Sequence, residues 1–210
     1  ERLLALGRRE AGEVAARFPK VQRRVGGYNL DALTPANRHN LAHLLVGSEG
    51  SLGIVVRAVL ALRPKPPEQL VLAAEFSSGA AAGDAVCRIM AGGHVPSLLE
   101  LMDRTTVKAV NDTARMGLPE STEALLMAAF DTTDPAADLA AVGALCEAAG
   151  ATQVVPAEDT AESELLLQAR RSSLVALEAV KGTTMIDDVC VPRSRLGELI
   201  DGVERIAEKH

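Results

Sequence analysis

"LAHLLVGSEGSLGIVVRAVLALRPKP" (residues 41–66) places glycines at 47, 50 and 53, directly ahead of an apolar run. The order is helix, glycines, strand. A dinucleotide fingerprint would read G-x-G-x-x-G after a strand and before a helix. With spacing and order both different, no helix N-terminus is aimed at a phosphate. No Gly-Lys-Ser/Thr follows, so the segment is not a Walker loop either. Glycines permit positive φ and leave main-chain N–H groups uncovered. "GSEGSLG" therefore reads in one of two ways. It is a bent ribbon lying flat against a planar or polyanionic ligand, or a helix-to-strand turn shaped by packing alone.

Working outward, the run 53–62 reads as a strand, and "RPKPPEQ" (63–69) as a proline-rich linker at a domain boundary, dividing the chain into 1–66 and 67–210. Beyond it the pattern predicts strands at 70–76, 95–101, 123–130 and 151–155. Helices are expected at 78–92, about 103–115 and 134–149, the last opened by Asp134-Pro135 and closed by Gly150. The order β-α-β-β-α-β, with one extra helix between the second and third strands, is that of a ferredoxin-like split unit. The fold class is α+β: an antiparallel sheet with helices on one face. A helix at about 158–180, a strand "TMIDDVCV" (184–191) and a helix from about Ser194 complete this half. Upstream, "ERLLALGRREAGEVAARF" reads as an amphipathic helix with Leu3, Leu4, Val14 and Phe18 on one side, broken by Pro19, Gly26 and Gly27. "TPANRHNLAHLL" reads as a short helix with Thr34 as cap and Pro35 at its first position.

The bulk composition excludes several classes. With 48% apolar and 24% charged residues the chain is globular, and no apolar run approaches the roughly 20 residues of a membrane span. A net charge of −6 with one Tyr and no Trp argues against nucleic acid as a partner. Cys87, Cys146 and Cys190 are odd in number and far apart, which argues for a reducing compartment and against a disulfide framework or zinc site. The initial Glu1 without a signal peptide points to a fragment of a longer protein.

Four stretches in the same order carry a family resemblance. "VGSEGSLGIVVRAVLALRPKP" closely resembles the GSEGTLGI segment of the FAD-linked oxidases with the vanillyl-alcohol-oxidase type of flavin-binding domain. That branch includes the glycolate oxidase flavin subunit, D-lactate dehydrogenases and D-2-hydroxyglutarate dehydrogenases. "RRVGGYNLDAL" (23–33) resembles the family's R-x-x-G-Y-N-L-D stretch, "LLELMDRTTV" (98–107) its L-E-L-M-D segment, and "DDVCVPRSRL" (187–196) its E-D-x-x-V-P-x-S-R-L segment. The resemblance implies that Gly47, Ser48, Glu49, Gly50, Ser51, Gly53 and Ile54 line an FAD through backbone contacts, with Gly27, Tyr28 and Asn29 nearby. It implies that 1–66 is the tail of the FAD-binding domain and 67–210 most of the cap domain. The implied reaction is hydride transfer from the α-carbon of a 2-hydroxy acid to flavin. Electrons would pass to a quinone, a carrier or an iron–sulfur partner, in a cytoplasmic or peripherally membrane-bound enzyme that could be a homodimer. The family's pyrophosphate loop and its H-G-D-G-N-type stretch do not occur in this chain, so the piece alone is expected to hold FAD weakly and to be inactive.

By the same resemblance, "LLLQARRSSL" (165–174) matches a W-x-x-R pattern in which the Arg faces the substrate carboxylate. Arg170 stands in that place, with Leu167 where the family has Trp. A guanidinium fork binds a carboxylate bidentately and keeps its proton. The plain alternative is that Arg170 and Arg171 are solvated helix charges beside Glu162 and Glu164. Asp187 and Asp188, adjacent on the predicted strand, would point to opposite faces and cannot act as a dyad. His39 and His43, four apart on one predicted helix, form an incomplete metal set, so no metal is expected. Glu49 would be repelled by a pyrophosphate, so its carboxylate should turn away and bond backbone N–H groups or an Arg. The contrasting reading of the whole is a non-catalytic ferredoxin-like module that binds an effector or mediates dimers through 70–155.

Overall fold

In the computed structural model, residues 1–21, 24 and 27–209 are described; Gly26, the Arg23 and Val25 of the quoted stretch, and His210 lie outside the described residues. The chain forms two compact units: 1–63 with 186–192, and 64–185 with 193–210.

The second unit is built on a four-stranded antiparallel sheet: β1 (Leu70–Phe76), β2 (Leu98–Asp103), β3 (Ala124–Phe130) and β4 (Ala151–Pro156), in the order β2-β3-β1-β4. This is the order of a ferredoxin-like split unit, with β1 and β3 at the centre. The strands send alternate side chains to the two faces of the sheet, and both faces of the central pair β1 and β3 are apolar. Leu72, Ala74 and Phe76 meet Ala82, Ala85 and Ile89 of α4 (Gly79–Ala91) and Leu139, Val142 and Cys146 of α6 (Pro135–Ala148). These are the two helices of the split unit, covering one face as the pattern predicts. The helices outside the repeat, α5 (Arg104–Ala114) and α7 (Thr160–Lys181), cover the other. There Val71, Ala73, Leu125 and Met127 pack with Val107, Val110, Leu167 and Ala169. β3 is buried along its whole length, which explains why its sequence, ALLMAAF, shows no alternation.

The helices are capped by short polar side chains. Ser78, Asp103, Asp134 and Asp159 each accept a first-turn amide, satisfying an orphan donor at each helix start. α8 (Leu196–Lys209) rests on α4, where an added Cβ at Gly79 would stand 2.6 Å from Cγ2 of Ile200.

β2 begins three residues later than its pattern suggests. Pro96 cannot donate to the ladder, and Val95 is exposed; pairing with β3 starts in earnest at Leu98. Two predicted strands do not form. Residues 53–62 are irregular and exposed throughout, and 184–191 likewise have no strand structure. A strand is defined by its neighbour, and neither segment has a pairing partner among the described residues.

In the first unit, the single helix expected at the start divides at Glu10 into α1 (Arg2–Arg9) and α2 (Ala11–Arg17). Here Gly7, rather than Leu3 or Leu4, makes the close approach, because a Cβ on it would overlap the Leu33 carbonyl. The helix expected over 34–45 also divides. Pro35–Asn37 form a 3-10 turn, Arg38 and His39 take positive φ, and α3 (Leu41–Leu45) restarts with the Asn40 side chain accepting from the Ala42 and His43 amides. Thr34 therefore does not cap α3, and His39 and His43 do not share a helix.

Candidate functional site

Two stretches singled out in the sequence meet in the first unit. Asn29 Nδ2 donates to the His43 carbonyl at 3.2 Å and to the Val46 carbonyl at 2.9 Å, holding the end of α3 against 27–31. Arg24 fixes this arrangement from behind: Nη2 donates to Asn29 Oδ1 at 2.7 Å and Asp31 Oδ1 at 2.6 Å, and its guanidinium lies 4.3 Å from the Phe18 ring centroid. Tyr28 then joins the glycine ribbon. Its hydroxyl lies 3.0 Å from Ser51 Oγ, which itself donates to the Ser48 carbonyl at 2.6 Å; with that proton committed, Tyr28 is the donor.

The ribbon is a tight turn closed by the Ser51 amide on the Ser48 carbonyl at 2.9 Å. Its central residues, Glu49 and Gly50, have φ of 48° and 81°, the signs of a I′ turn. Gly50 suits that position, whereas Glu49 is held there at a steric cost of about 1–2 kcal/mol. Ser48 is buried and donates to the Leu45 carbonyl, while Gly47, Glu49 to Gly53 and Ile54 are exposed. The amides of Glu49, Gly50, Gly53 and Ile54 donate to no group among the described residues. Cβ positions at Gly27, Gly50 and Gly53 would look onto open space. A surface of bare amides with no side chain over it fits the backbone contacts a flavin takes. The Glu49 carboxylate makes no hydrogen bond or ion pair among the described residues, so the expected tether to an amide or Arg is not present.

In the second unit, Arg170 projects from α7 to β2. Its Nε and Nη2 take Glu100 side-on, the latter at 2.5 Å. This hydrogen bonding raises Arg170 above the ordinary arginine range, so the guanidinium is charged at every working pH. Arg171 instead pairs with Glu164 on α7 itself. The two arginines thus separate: Arg171 is a helix-surface charge, while Arg170 is tied across to the sheet. Leu167, at the place of the family's Trp, is buried in the core beneath α7. Glu100 was not singled out by sequence, although a carboxylate inside the apolar run LLELM was its signal.

Asp187 and Asp188 are both exposed and lie on no strand, so opposite-facing strand geometry does not apply to them. His39 Nδ1 lies 2.6 Å from the Leu33 carbonyl, a local tie rather than half of a histidine pair. No group of three or more metal-ligating side chains occurs among the described residues.

Residues 65–210 match the family described as FAD linked oxidases, C-terminal domain. The chain belongs to the FAD-linked oxidases. Glycolate oxidase subunit GlcD of Bacillus subtilis is 36% identical over 82% of this chain and 37% of its own length. The mitochondrial D-lactate dehydrogenase [cytochrome] of Arabidopsis thaliana is 30% identical over 77% of this chain and 29% of its own. Among solved structures, an alkyldihydroxyacetonephosphate synthase has 21% identity and a TM-score of 0.49, covering 81% of this chain and 37% of that one. This chain of the FAD-linked oxidases thus spans between 29% and 37% of the length of these two curated relatives. FAD is the cofactor of its family. No helix among the described residues is long and apolar enough to cross a membrane.

Proposed function

We propose that the protein carrying this chain is an FAD-dependent oxidoreductase that oxidises a small 2-hydroxy acid of the glycolate or D-lactate kind. Residues 1–66 are the closing part of its FAD-binding domain and 67–210 its substrate, or cap, domain. The observation that carries the reading is the Tyr28–Ser51–Ser48 hydrogen-bond chain, which gathers 27–29 and 47–54 into one amide-bearing surface in a chain of this family.

FAD, when bound, supplies the hydride acceptor. The chain's own part is to hold and orient. The amides of Glu49, Gly50, Gly53 and Ile54 donate to the cofactor, and the Tyr28 bond to Ser51 keeps the ribbon in place. Arg170 receives the substrate carboxylate. The proposed setting is cytoplasmic or peripheral at a membrane, with an electron carrier or iron–sulfur protein as acceptor and a homodimer as the assembly.

The test is to purify the intact protein and follow its visible flavin absorbance anaerobically. Bleaching by glycolate or D-lactate is the expected result. A folded protein that is colourless and stays so after incubation with FAD would overturn the reading and favour a non-catalytic module.

A further inference from the structure

The Glu100–Arg170 pair is poorly explained as a stability device. Both side chains are partly exposed, and ion pairs of that kind contribute about 0–1 kcal/mol. Yet the location is unusual for a carboxylate. Glu100 lies between Leu98 and Met102 on the face of β2 that α5 and α7 cover, in register with Met127 of β3. A charge at this point interrupts an apolar stripe, and its partner comes from a residue 70 positions along the chain.

The geometry of the pair is more informative than its strength. A guanidinium has two edges that match a carboxylate: a side edge, formed by Nε and one Nη, and an end edge, formed by the two Nη groups. Glu100 takes the side edge, through Nε and Nη2. Nη1 donates to no group among the described residues. Three N–H donors remain, and Nη1 with the second hydrogen of Nη2 forms an intact end edge. A flexible arginine gripped in this way has lost rotation about its last torsions, which is the entropic cost a substrate would otherwise meet on binding.

We propose that Glu100 is a positioning residue for Arg170. It fixes the guanidinium plane by its side edge so that the end edge is presented, ready oriented, to the carboxylate of the hydroxy acid. This rests on the assignment of Arg170 as the carboxylate ligand.

The experiment uses the intact, flavin-loaded protein and its Glu100→Gln, Glu100→Asp and Arg170→Ala variants. KM and kcat for the hydroxy acid are measured together with the Kd of oxalate, an unreactive dicarboxylate, from perturbation of the flavin spectrum. Glu100→Gln keeps the side-chain volume but replaces one acceptor with a donor, so one arm of the grip is lost. KM and the oxalate Kd are expected to rise about tenfold, with kcat changed less than about twofold, the pattern of lost ground-state binding. Glu100→Asp keeps the charge but shortens the reach; it should show a smaller rise of the same kind, and it carries the test if the Gln variant does not fold. Arg170→Ala should raise both constants by more than either. If the Glu100 variants leave both constants unchanged, or tighten them, while Arg170→Ala weakens binding, the positioning role is overturned and the Arg170 assignment stands. If Arg170→Ala also leaves both constants unchanged, the Arg170 assignment itself falls, and the role of Glu100 falls with it.

Discussion

One Thr122 hydroxyl serves both backbone groups of Phe76. Oγ accepts from the Phe76 amide at 3.1 Å and donates toward the Phe76 carbonyl at 2.8 Å. Phe76 ends β1 where the register with β4 shifts, so its buried amide would otherwise lack a partner, while its carbonyl also accepts from the Glu123 amide at 3.0 Å. Thr122→Val preserves shape and removes the hydroxyl. Leaving the buried Phe76 donor unmet costs about 1–3 kcal/mol. Urea unfolding should show a lower midpoint with an unchanged slope; an unchanged midpoint would mean that water replaces the hydroxyl.

Gly79 and Ile200 set how closely α8 rests on α4. Because a methyl at Gly79 would stand 2.6 Å from a branched, inflexible side chain, Gly79→Ala should weaken the docking of α8 by about 1–3 kcal/mol, as overpacking does. Ile200→Val in the same background should not relieve it, since Cγ2 is retained, whereas Ile200→Ala should recover much of the loss. A double-mutant cycle read by thermal unfolding checks this, and additivity of the two changes would refute the contact.

Cys146 is fully buried beneath α6, and burial, aided by the neighbouring Glu147 charge, pushes its thiol up to about 11 from 9.0. The raised value means that the folded state favours the neutral thiol. Its contribution to stability is fully present below about pH 9 and is lost as the pH rises toward 11, because the unfolded chain can ionise first. Cys146→Ser should flatten the fall in stability over that window. In the native protein a thiol reagent should label the exposed Cys190 rapidly and leave Cys146 unreacted until unfolding.

Gly50 combines a φ of 81° with a Cβ direction that faces open space. Gly50→Val therefore strains the turn by about 1–2 kcal/mol and sets a branched side chain over the bare amides. Flavin retained through desalting of the intact protein should drop at least about tenfold if those amides hold it, that factor corresponding to about 1.4 kcal/mol. Retention equal to wild type would place the cofactor elsewhere.

Much of the second unit was legible in the sequence, since apolar runs bounded by turn residues locate β1, β3 and β4 to within a residue. The extra helix between the second and third strands was also legible, but not its partnership with α7 on the far face of the sheet, because 71 and 73 are as apolar as 72 and 74. Segments 53–62 and 184–191 misread as strands for the complementary reason: their composition suits a sheet, but pairing depends on a neighbour that lies outside the segment itself. At the site, glycine spacing pointed to 47–53 and the resemblance to Tyr28 and Asn29. The Glu100 grip on Arg170 was invisible, since nothing local relates a strand residue to a helix residue so far along the chain.

The path of the backbone has a bearing on how the protein comes to be made. The run 186–192 returns to the first unit after the sheet is complete, and 193–210 goes back to the second. On a ribosome emitting about 5–20 residues per second, the first unit waits for this strip until all four strands of the sheet have emerged. Neither body can be excised by one cut, and a nascent chain stalled near 185 would leave both unfinished: one without its returning strip, the other without the helix that covers Gly79.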